Sequence, residues 1–229
     1  DSRGNLQHLG GADGNHYEYD SRGNLLRIES AHPDPGATQR LETRFAYDLC
    51  NNQTMVQDAQ GAVTSSAYNP TTCQLLSSTD PLGHATQFVN NSRGQPLQIT
   101  DALGHVTTNS YDGNGNLAQA VDAGGFATSF TYDSLNRRIS ETKPGGGTTT
   151  FQYDPFDRQT RVTSAMSAAT QMTYDAVGNL LTSTDPDSRV TEYTYDGRGN
   201  KISVKDAAGN MTHYQYDAAN RMVQMTDPV

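Results

Sequence analysis

A Tyr-Asp pair returns along this chain of 229 residues, and over most of its length the spacing is 21 residues. Repetition at a fixed spacing of this size is typical of repeat proteins, in which each unit buries its apolar side chains only against its neighbours. We therefore interpret residues 1–229 as one array of about ten repeats. The complete pairs are Tyr19-Asp20, Tyr47-Asp48, Tyr111-Asp112, Tyr132-Asp133, Tyr153-Asp154, Tyr174-Asp175, Tyr195-Asp196 and Tyr216-Asp217.

Each repeat contains two turn signals separated by two strand patterns. Residues 196–200 read Asp-Gly-Arg-Gly-Asn and residues 206–209 read Asp-Ala-Ala-Gly. Asp favours turns because its side chain accepts backbone hydrogen bonds, and Gly tolerates positive φ. Residues 191–195 and 201–205 alternate with a period of two and are rich in Thr, Val and Tyr, which is the pattern of a strand. The sequence therefore predicts an all-β fold of tandem antiparallel β-hairpins, about 21 residues each.

The positions within a repeat also predict the faces of the sheet. The seventh and ninth residues after Tyr tend to be apolar, so we expect them to share one face of their strand. Thr, an aromatic residue and the next Tyr alternate in the second strand and are expected to form ladders across strands. Roughly 20 strands at about 4.8 Å would make a sheet on the order of 95 Å long. Strand twist predicts that such a sheet curls into a spiral segment.

Residues 30–37 interrupt the period, because they lengthen the Tyr19 repeat to 28 residues. They include two Pro and one Gly, which break strand pairing. We interpret them as a protruding irregular loop.

The net charge of −9 comes mainly from turn residues, since 20 of the 25 acidic residues are Asp. This acidity argues against nucleic acid as a partner, because nucleic-acid binding favours basic patches. The longest apolar stretches are too short for a membrane-spanning helix, and we expect no membrane span. We also expect no cofactor, no metal site and no enzymatic activity, because no catalytic or Ca²⁺-binding motif is present. His84 and His105 occupy equivalent turns and are interpreted as solvated turn residues rather than metal ligands.

The two cysteines lie in equivalent turns of neighbouring repeats. Equivalent turns are two strand spacings apart, about 9.6 Å, whereas a disulfide needs Cα atoms within about 7 Å. One residue is inserted in the turn of Cys73, and this insertion allows the gap to close. A Cys50–Cys73 disulfide and two free thiols both remain open.

The repeat resembles that of the YD-repeat, or Rhs-repeat, family over essentially the whole chain. The motif Tyr-Asp-x-x-Gly-Asn-Leu at residues 19–25 and 174–180 is a close match. The resemblance implies that the hairpins form the wall of a hollow shell, as in bacterial Rhs proteins and the B and C components of Tc toxins. Related repeats in teneurins form an extracellular barrel used in adhesion.

The resemblance implies a structural function as a shell segment of a large exported bacterial toxin, which encloses a C-terminal toxin domain. Because the chain begins and stops inside a repeat, we interpret it as a piece of a larger protein. The expected partners are further repeats and the toxin domain of the same polypeptide, and the expected location is secreted or at the bacterial cell surface. The alternative is an extracellular module for adhesion or glycan binding.

Overall fold

The computed structural model describes residues 7–10, 15–31 and 40–228. These residues form twenty-one β-strands and no helix, which confirms the all-β prediction. Most of the predicted loop at residues 30–37 lies outside the described residues, as does Asp1. The described ranges contain no helix with the length and hydrophobicity needed to span a membrane.

The chain divides into two compact units. The first comprises residues 1–110 and 121–125, and the second comprises residues 111–120 and 126–229. The strands whose residues lie wholly or mostly in the first unit are β1 (Gln7–Gly10), β2 (His16–Tyr19), β3 (Leu25–Ser30), β4 (Leu41–Tyr47), β5 (Gln53–Gln57), β6 (Val63–Tyr68), β7 (Leu75–Thr79), β8 (Ala85–Asn90), β9 (Pro96–Thr100) and β10 (Val106–Tyr111).

The second unit contains the remaining strands, which alternate between five and six residues in length. They are β11 (Leu117–Val121), β12 (Ala127–Tyr132), β13 (Arg138–Thr142), β14 (Thr148–Tyr153), β15 (Gln159–Thr163), β16 (Ala169–Tyr174), β17 (Leu180–Thr184), β18 (Val190–Tyr195), β19 (Lys201–Lys205), β20 (Met211–Tyr216) and β21 (Met222–Thr226).

Within each unit, consecutive strands pair in antiparallel fashion, so each unit is a meander of hairpins as predicted. In the first unit this order runs from β1 to β10, and in the second it runs from β12 to β21. Among the described strands, the first and last members of each run do not pair with each other. Each unit is therefore an open sheet.

A β-bulge recurs where each strand that ends in Tyr meets the next strand. In the β18–β19 pair, Thr194 faces Ser203 and Tyr195 faces Lys201, so Ile202 is the extra residue. Ile202 lines a shallow depression together with Thr194, Ser203 and His213, which face one another across strands. The expectation that the seventh and ninth residues share a face is therefore wrong, because the bulge turns the seventh residue to the opposite face.

The turns explain why Gly recurs with the period of the repeat. Each turn begins at Asp or an equivalent residue, and in most turns the residue three positions later has positive φ and donates its N–H to the carbonyl of the first. This geometry is a type I turn followed by a left-handed residue, a common hairpin connection. Where Gly is missing, Asn, Asp, Ser or Cys takes the left-handed position, as at Asn136 (φ 63°) and Ser188 (φ 62°).

Neither unit encloses a fully buried apolar core in the part of the chain that the structure describes; Ser203 alone is buried there, at 5% exposure. Packing comes instead from cross-strand rows on the face that carries the Tyr residues, which we call the aromatic face. There the ninth residue after Tyr lies, in most repeats, between an aromatic residue and a Thr, as Val204 does between Tyr193 and Thr212. Such cross-strand pairs stabilise a sheet without a second layer.

The two glycines of one turn provide a matched test of the left-handed position. Gly199 has φ +83°, whereas Gly197 in the same turn has no positive φ, and an added Cβ meets no atom closer than 3.8 Å at either site. We expect Gly199→Ala to destabilise the protein by about 1–2 kcal/mol, because an L-residue pays this cost in the left-handed region. Gly197→Ala should be close to neutral. Denaturant unfolding of both variants checks this, and equal effects would contradict the assignment of the turn.

Candidate functional site: the Tyr-Asp turns and the aromatic face

The Asp of each Tyr-Asp pair organises its turn through both carboxylate oxygens. Asp196 Oδ1 accepts the backbone N–H groups of Arg198 and Asn200, each at 2.9 Å. Its Oδ2 accepts the side-chain amide of Asn200 at 2.9 Å. Arg replaces Asn in other turns and makes the same contact, as in Arg137 Nε to Asp133 Oδ2 at 2.7 Å. The residue four positions after Asp is therefore part of the turn.

That same residue also connects neighbouring repeats. Arg158 donates from Nε to Asp154 in its own turn at 2.6 Å and from an Nη to the carbonyl of Asp175 in the next turn at 2.6 Å. Asn, although its side chain is shorter than that of Arg, makes bridges of the same kind. These run from Asn24 to Asn51, from Asn52 to the carbonyl of Cys73, from Asn116 to Asn136 and from Asn200 to Asn220. The edge that carries the Tyr-Asp turns, which we call the Tyr-Asp edge, is therefore braced between most neighbouring turns.

The opposite edge of the sheet, which we call the second edge, lacks this bracing in the second unit. Its described turns at residues 164–168, 185–189 and 206–210 make hydrogen bonds and ion pairs only within themselves or to adjacent strand ends. Arg189, for example, pairs with Asp185 at 2.7 Å and with Asp187 at 3.0 Å, both in its own turn. The two edges of the same hairpins therefore differ in how tightly they hold neighbouring repeats.

In three of the pairs the Tyr makes a further connection, from its hydroxyl to the preceding hairpin. Tyr132, Tyr153 and Tyr174 donate to the carbonyls of Leu117, Arg138 and Gln159 at 3.0, 2.9 and 2.8 Å. In each case the acceptor lies fifteen residues earlier. Asn90, which stands where Tyr is expected, donates its amide to Leu75 at the same separation. The position therefore supplies a hydrogen-bond donor as well as an aromatic ring.

Cations cover the rings of the aromatic face in the second unit. The guanidinium of Arg138 lies 5.7 Å from the ring of Phe130 and 4.9 Å from that of Phe151. Lys201 lies in the same way between two Tyr rings of its neighbouring strands, at 5.9 and 5.1 Å. Such contacts are attractive because a ring carries partial negative charge on its face. The cations therefore add to the packing of adjacent hairpins.

A covalent link joins two turns on the Tyr-Asp edge of the first unit. Cys50 and Cys73 form a disulfide with Cα atoms 6.0 Å apart. The turn of Cys73 contains the inserted residue, because the N–H of Cys73 reaches back four positions to the carbonyl of Asn69 rather than three. The crosslink spans 23 residues, and closing such a loop stabilises a protein by about 3 kcal/mol in the chain-entropy description.

The histidines singled out in the sequence complete turns of the second edge. His84 Nδ1 contacts Asp80 Oδ2 at 2.8 Å, and His105 Nδ1 contacts Asp101 Oδ2 at 2.9 Å. Both side chains are about 60% exposed. No group of three or more His, Cys, Asp or Glu side chains with metal-ligating geometry occurs within residues 7–10, 15–31 and 40–228.

The turn geometry shifts the acidity of the turn carboxyls in one direction. The side-chain amide of Asn200, followed by its backbone N–H, lowers the pKa of Asp196. The guanidinium of Arg137 lowers the pKa of Asp133 in the same way, with burial acting against it. The pKa is lowered at twelve turn residues in all. They are Asp20, Asp48, Asp80, Asp101, Asp112, Asp133, Asp154, Asp175, Asp185, Asp196, Asp206 and Asp217.

Two of these contacts were missed by reasoning from sequence. The bridge from the fourth residue after Asp to the next turn was missed, although the recurrence of Asn or Arg at that position of the Tyr-Asp turns is a readable signal. The Tyr hydroxyl bond was also missed, because its carbonyl acceptor carries no sequence signature. No catalytic constellation is visible among the described residues, and the Tyr-Asp pairs lie in equivalent structural positions.

The Tyr hydroxyl bond is testable by removing one oxygen atom. We expect Tyr174→Phe to destabilise the protein by about 1 kcal/mol, because the carbonyl of Gln159 loses its donor. Tyr216→Phe is the matched control, since no hydrogen bond of the Tyr216 hydroxyl is found in the described residues. Chemical denaturation of the two variants measures the difference. A loss at Tyr216 as large as that at Tyr174 would contradict the role of the bond.

The lowered pKa values predict sensitivity to acid. A carboxyl whose pKa is lower in the folded than in the unfolded state stabilises the fold above the unfolded pKa of about 4. This contribution is lost as the pH falls through the lower, folded pKa. We therefore expect the melting temperature to be steady from neutral pH to about pH 5 and to fall steeply below about pH 4. A melting temperature that rises or stays constant down to pH 3 would contradict this linkage.

Comparison with known proteins supports the repeat assignment. The RHS Repeat family profile matches residues 91–127, 111–148, 132–165, 174–211 and 202–229, which together are more than half of the chain. No curated protein matches the sequence.

Solved structures with a similar fold include three complexes of TcdB2 and TccC3. The crystal structure of TcdB2-TccC3-TEV aligns over 93% of this chain with a TM-score of 0.72 and 18% identity. TcdB2-TccC3 without its hypervariable C-terminal region aligns over 93% with a TM-score of 0.58 and 16% identity, and TcdB2-TccC3 aligns over 96% with a TM-score of 0.56 and 15% identity. This chain spans 12%, 14% and 16% of the length of those chains.

At these identities the likeness concerns the fold alone. The family profile and the fold agree with the hairpin geometry and the Tyr-Asp turns described above. This chain belongs to the RHS-repeat family.

Proposed function

We propose that this chain is a segment of the wall of an RHS-repeat shell, which encloses a polypeptide cargo in an exported bacterial toxin. The observation that carries the proposal is the braced Tyr-Asp edge, where side chains tie each hairpin to the next. A sheet held in this way gains its stability along its own length and needs no second layer. A single-layer sheet of this kind suits a wall, because each of its two faces is exposed to a different compartment.

The similarity to TcdB2-TccC3 structures supports the same function, although the chain spans only 12–16% of those proteins. The cargo would be a further domain of the same polypeptide, and the protein would be secreted or lie at the cell surface. The wall itself would carry no catalytic activity, in keeping with the turn and packing contacts made by its Asp, His and Tyr residues.

The alternative function, adhesion through glycans, draws on the row of aromatic side chains. Sugars stack on the open face of an aromatic ring. Cations already lie over the rings of Phe130, Phe151, Tyr153, Tyr174 and Tyr214. The aromatic face of the second unit is therefore better suited to packing between hairpins than to sugar stacking.

A protease-protection experiment on the full-length polypeptide tests the wall function. We expect the cargo domain to resist proteolysis inside the intact protein and to be cleaved rapidly when it is expressed alone. A wall variant that combines Gly199→Ala with Gly209→Ala, both at positive φ, should expose the cargo. The matched control combines Gly197→Ala with Gly113→Ala, which lack positive φ in the structure.

Equal cleavage of the cargo in the intact protein and in isolation would contradict encapsulation. A full-length polypeptide with a wall-anchoring or lectin-like domain in place of a cargo, together with saturable binding on a glycan array, would favour adhesion instead.

A further inference from the structure

The Cys50–Cys73 disulfide lies in a part of the first unit where packing between strands is sparse. Ser66 stands where Phe151 stands in a later repeat, and it faces another small residue, Ser78, across the β6–β7 pair. Four of the six residues of β6 are exposed. Because cross-strand pairs of large side chains stabilise a sheet, the β5–β6–β7 hairpins receive less support from the aromatic face than their neighbours do.

The turn of Cys73 also lacks the carboxylate of the Tyr-Asp turns. Asn69 replaces Asp, and its Oδ1 accepts two backbone N–H groups of the turn at 2.9 and 3.0 Å. The side chain of Gln74 donates to the carbonyl of Asn91 at 3.0 Å, and among the described residues it makes no hydrogen bond to the Asn69 side chain. Cys73 has φ 58°, in the left-handed region that L-residues adopt only at a cost. The disulfide therefore supplies a constraint that the Asp side chain supplies in other turns.

Both side-chain connections that the structure describes between the turns at residues 48–52 and 69–74 end on Cys73. One is the disulfide, and the other is the hydrogen bond from Asn52 Nδ2 to the Cys73 carbonyl at 3.3 Å. The corresponding bridge from Arg158 in the second unit is much shorter, at 2.6 Å. Once the sulfur–sulfur bond is broken, one long hydrogen bond is left between these two turns, and its acceptor moves with Cys73.

We propose that the Cys50–Cys73 disulfide is a thiol-sensitive switch that controls local opening of the β5–β6–β7 hairpins. In oxidising surroundings the crosslink holds the two turns together and keeps these strands paired. In reducing surroundings, where small-molecule thiols keep cysteines reduced, the two turns separate and the hairpins open while the second unit stays folded. The switch requires only this chain and a thiol, so it is independent of the proposed wall function.

The exposure of the two cysteines determines the order of the chemical steps. Cys73 is exposed, whereas Cys50 is half-buried, and exchange begins at the accessible sulfur of a disulfide. The thiolate of a reductant such as glutathione attacks Cys73 Sγ, forms a mixed disulfide and displaces the Cys50 thiolate. A second reductant thiolate attacks the reductant sulfur of the mixed disulfide, which releases the Cys73 thiolate and one oxidised reductant. The two cysteine thiolates take up the two protons that the reductant thiols lost.

Hydrogen exchange on the whole 229-residue protein, with and without millimolar reduced glutathione at neutral pH, tests the switch. Alkylation followed by mass spectrometry first verifies that both cysteines are reduced. We expect the amides of β5, β6 and β7 to exchange about ten-fold faster or more after reduction, because the lost crosslink closed a loop around these strands. The amides of β14 to β18 should keep their rates.

Two sets of variants separate the switch from a general loss of stability. The double variant Cys50→Ser with Cys73→Ser should exchange as the reduced wild type does and should no longer respond to glutathione. Ser66→Phe adds a ring to the aromatic face and should diminish the acceleration that reduction causes, while the disulfide stays reducible. Ser65→Phe is the matched control, because it places the same ring on the opposite face of β6 and should leave the acceleration unchanged.

A disulfide that resists millimolar glutathione in the folded protein would overturn the proposal, as would a reduced protein with unchanged exchange in β5, β6 and β7. Equal acceleration in β14 to β18 would also overturn it, because the crosslink would then support the whole chain rather than one set of hairpins. If the double variant does not fold, the comparison of oxidised with reduced wild type still distinguishes these outcomes.

Discussion

The carboxylate of the turn Asp is the contact on which the rest of the structure depends. One oxygen accepts two backbone N–H groups, which fixes the turn, and the other holds the side chain four residues later. That side chain is then positioned to reach the next repeat. Without the carboxylate, the turn would lose its cap and the array would lose the bridge between hairpins. Local turn chemistry and long-range order are therefore provided by the same group.

The architecture explains how a sheet with no buried apolar core in its described part can be stable. Each hairpin contributes little alone, but its aromatic, aliphatic and Thr residues meet those of its neighbours in continuous rows. Cations over the rings and Tyr hydroxyl bonds add contacts in the same direction. Stability is then a sum of nearest-neighbour terms, as expected for a repeat protein. Such an array suits the proposed wall function, because length can be added without a change in local packing.

Much of this structure was predictable from sequence because its main determinants are local. The period of Tyr-Asp, the turn Gly residues and the alternating strands together specify hairpins and their order. The face of Ile202 was mispredicted, because a bulge arises from the fit between two strands and not from the pattern of one. The Tyr174 hydroxyl bond to a main-chain carbonyl was invisible for a similar reason.

The difference between the two sheet edges has a mechanical consequence. In the second unit, side chains such as Arg158 connect neighbouring turns at the Tyr-Asp edge. At the second edge, side chains such as Arg189 pair only within their own turn. A load that bends the sheet in its own plane would therefore meet high resistance on one margin and low resistance on the other. Under such a load the turns of the second edge should separate first in the second unit, while the turns of the Tyr-Asp edge stay together.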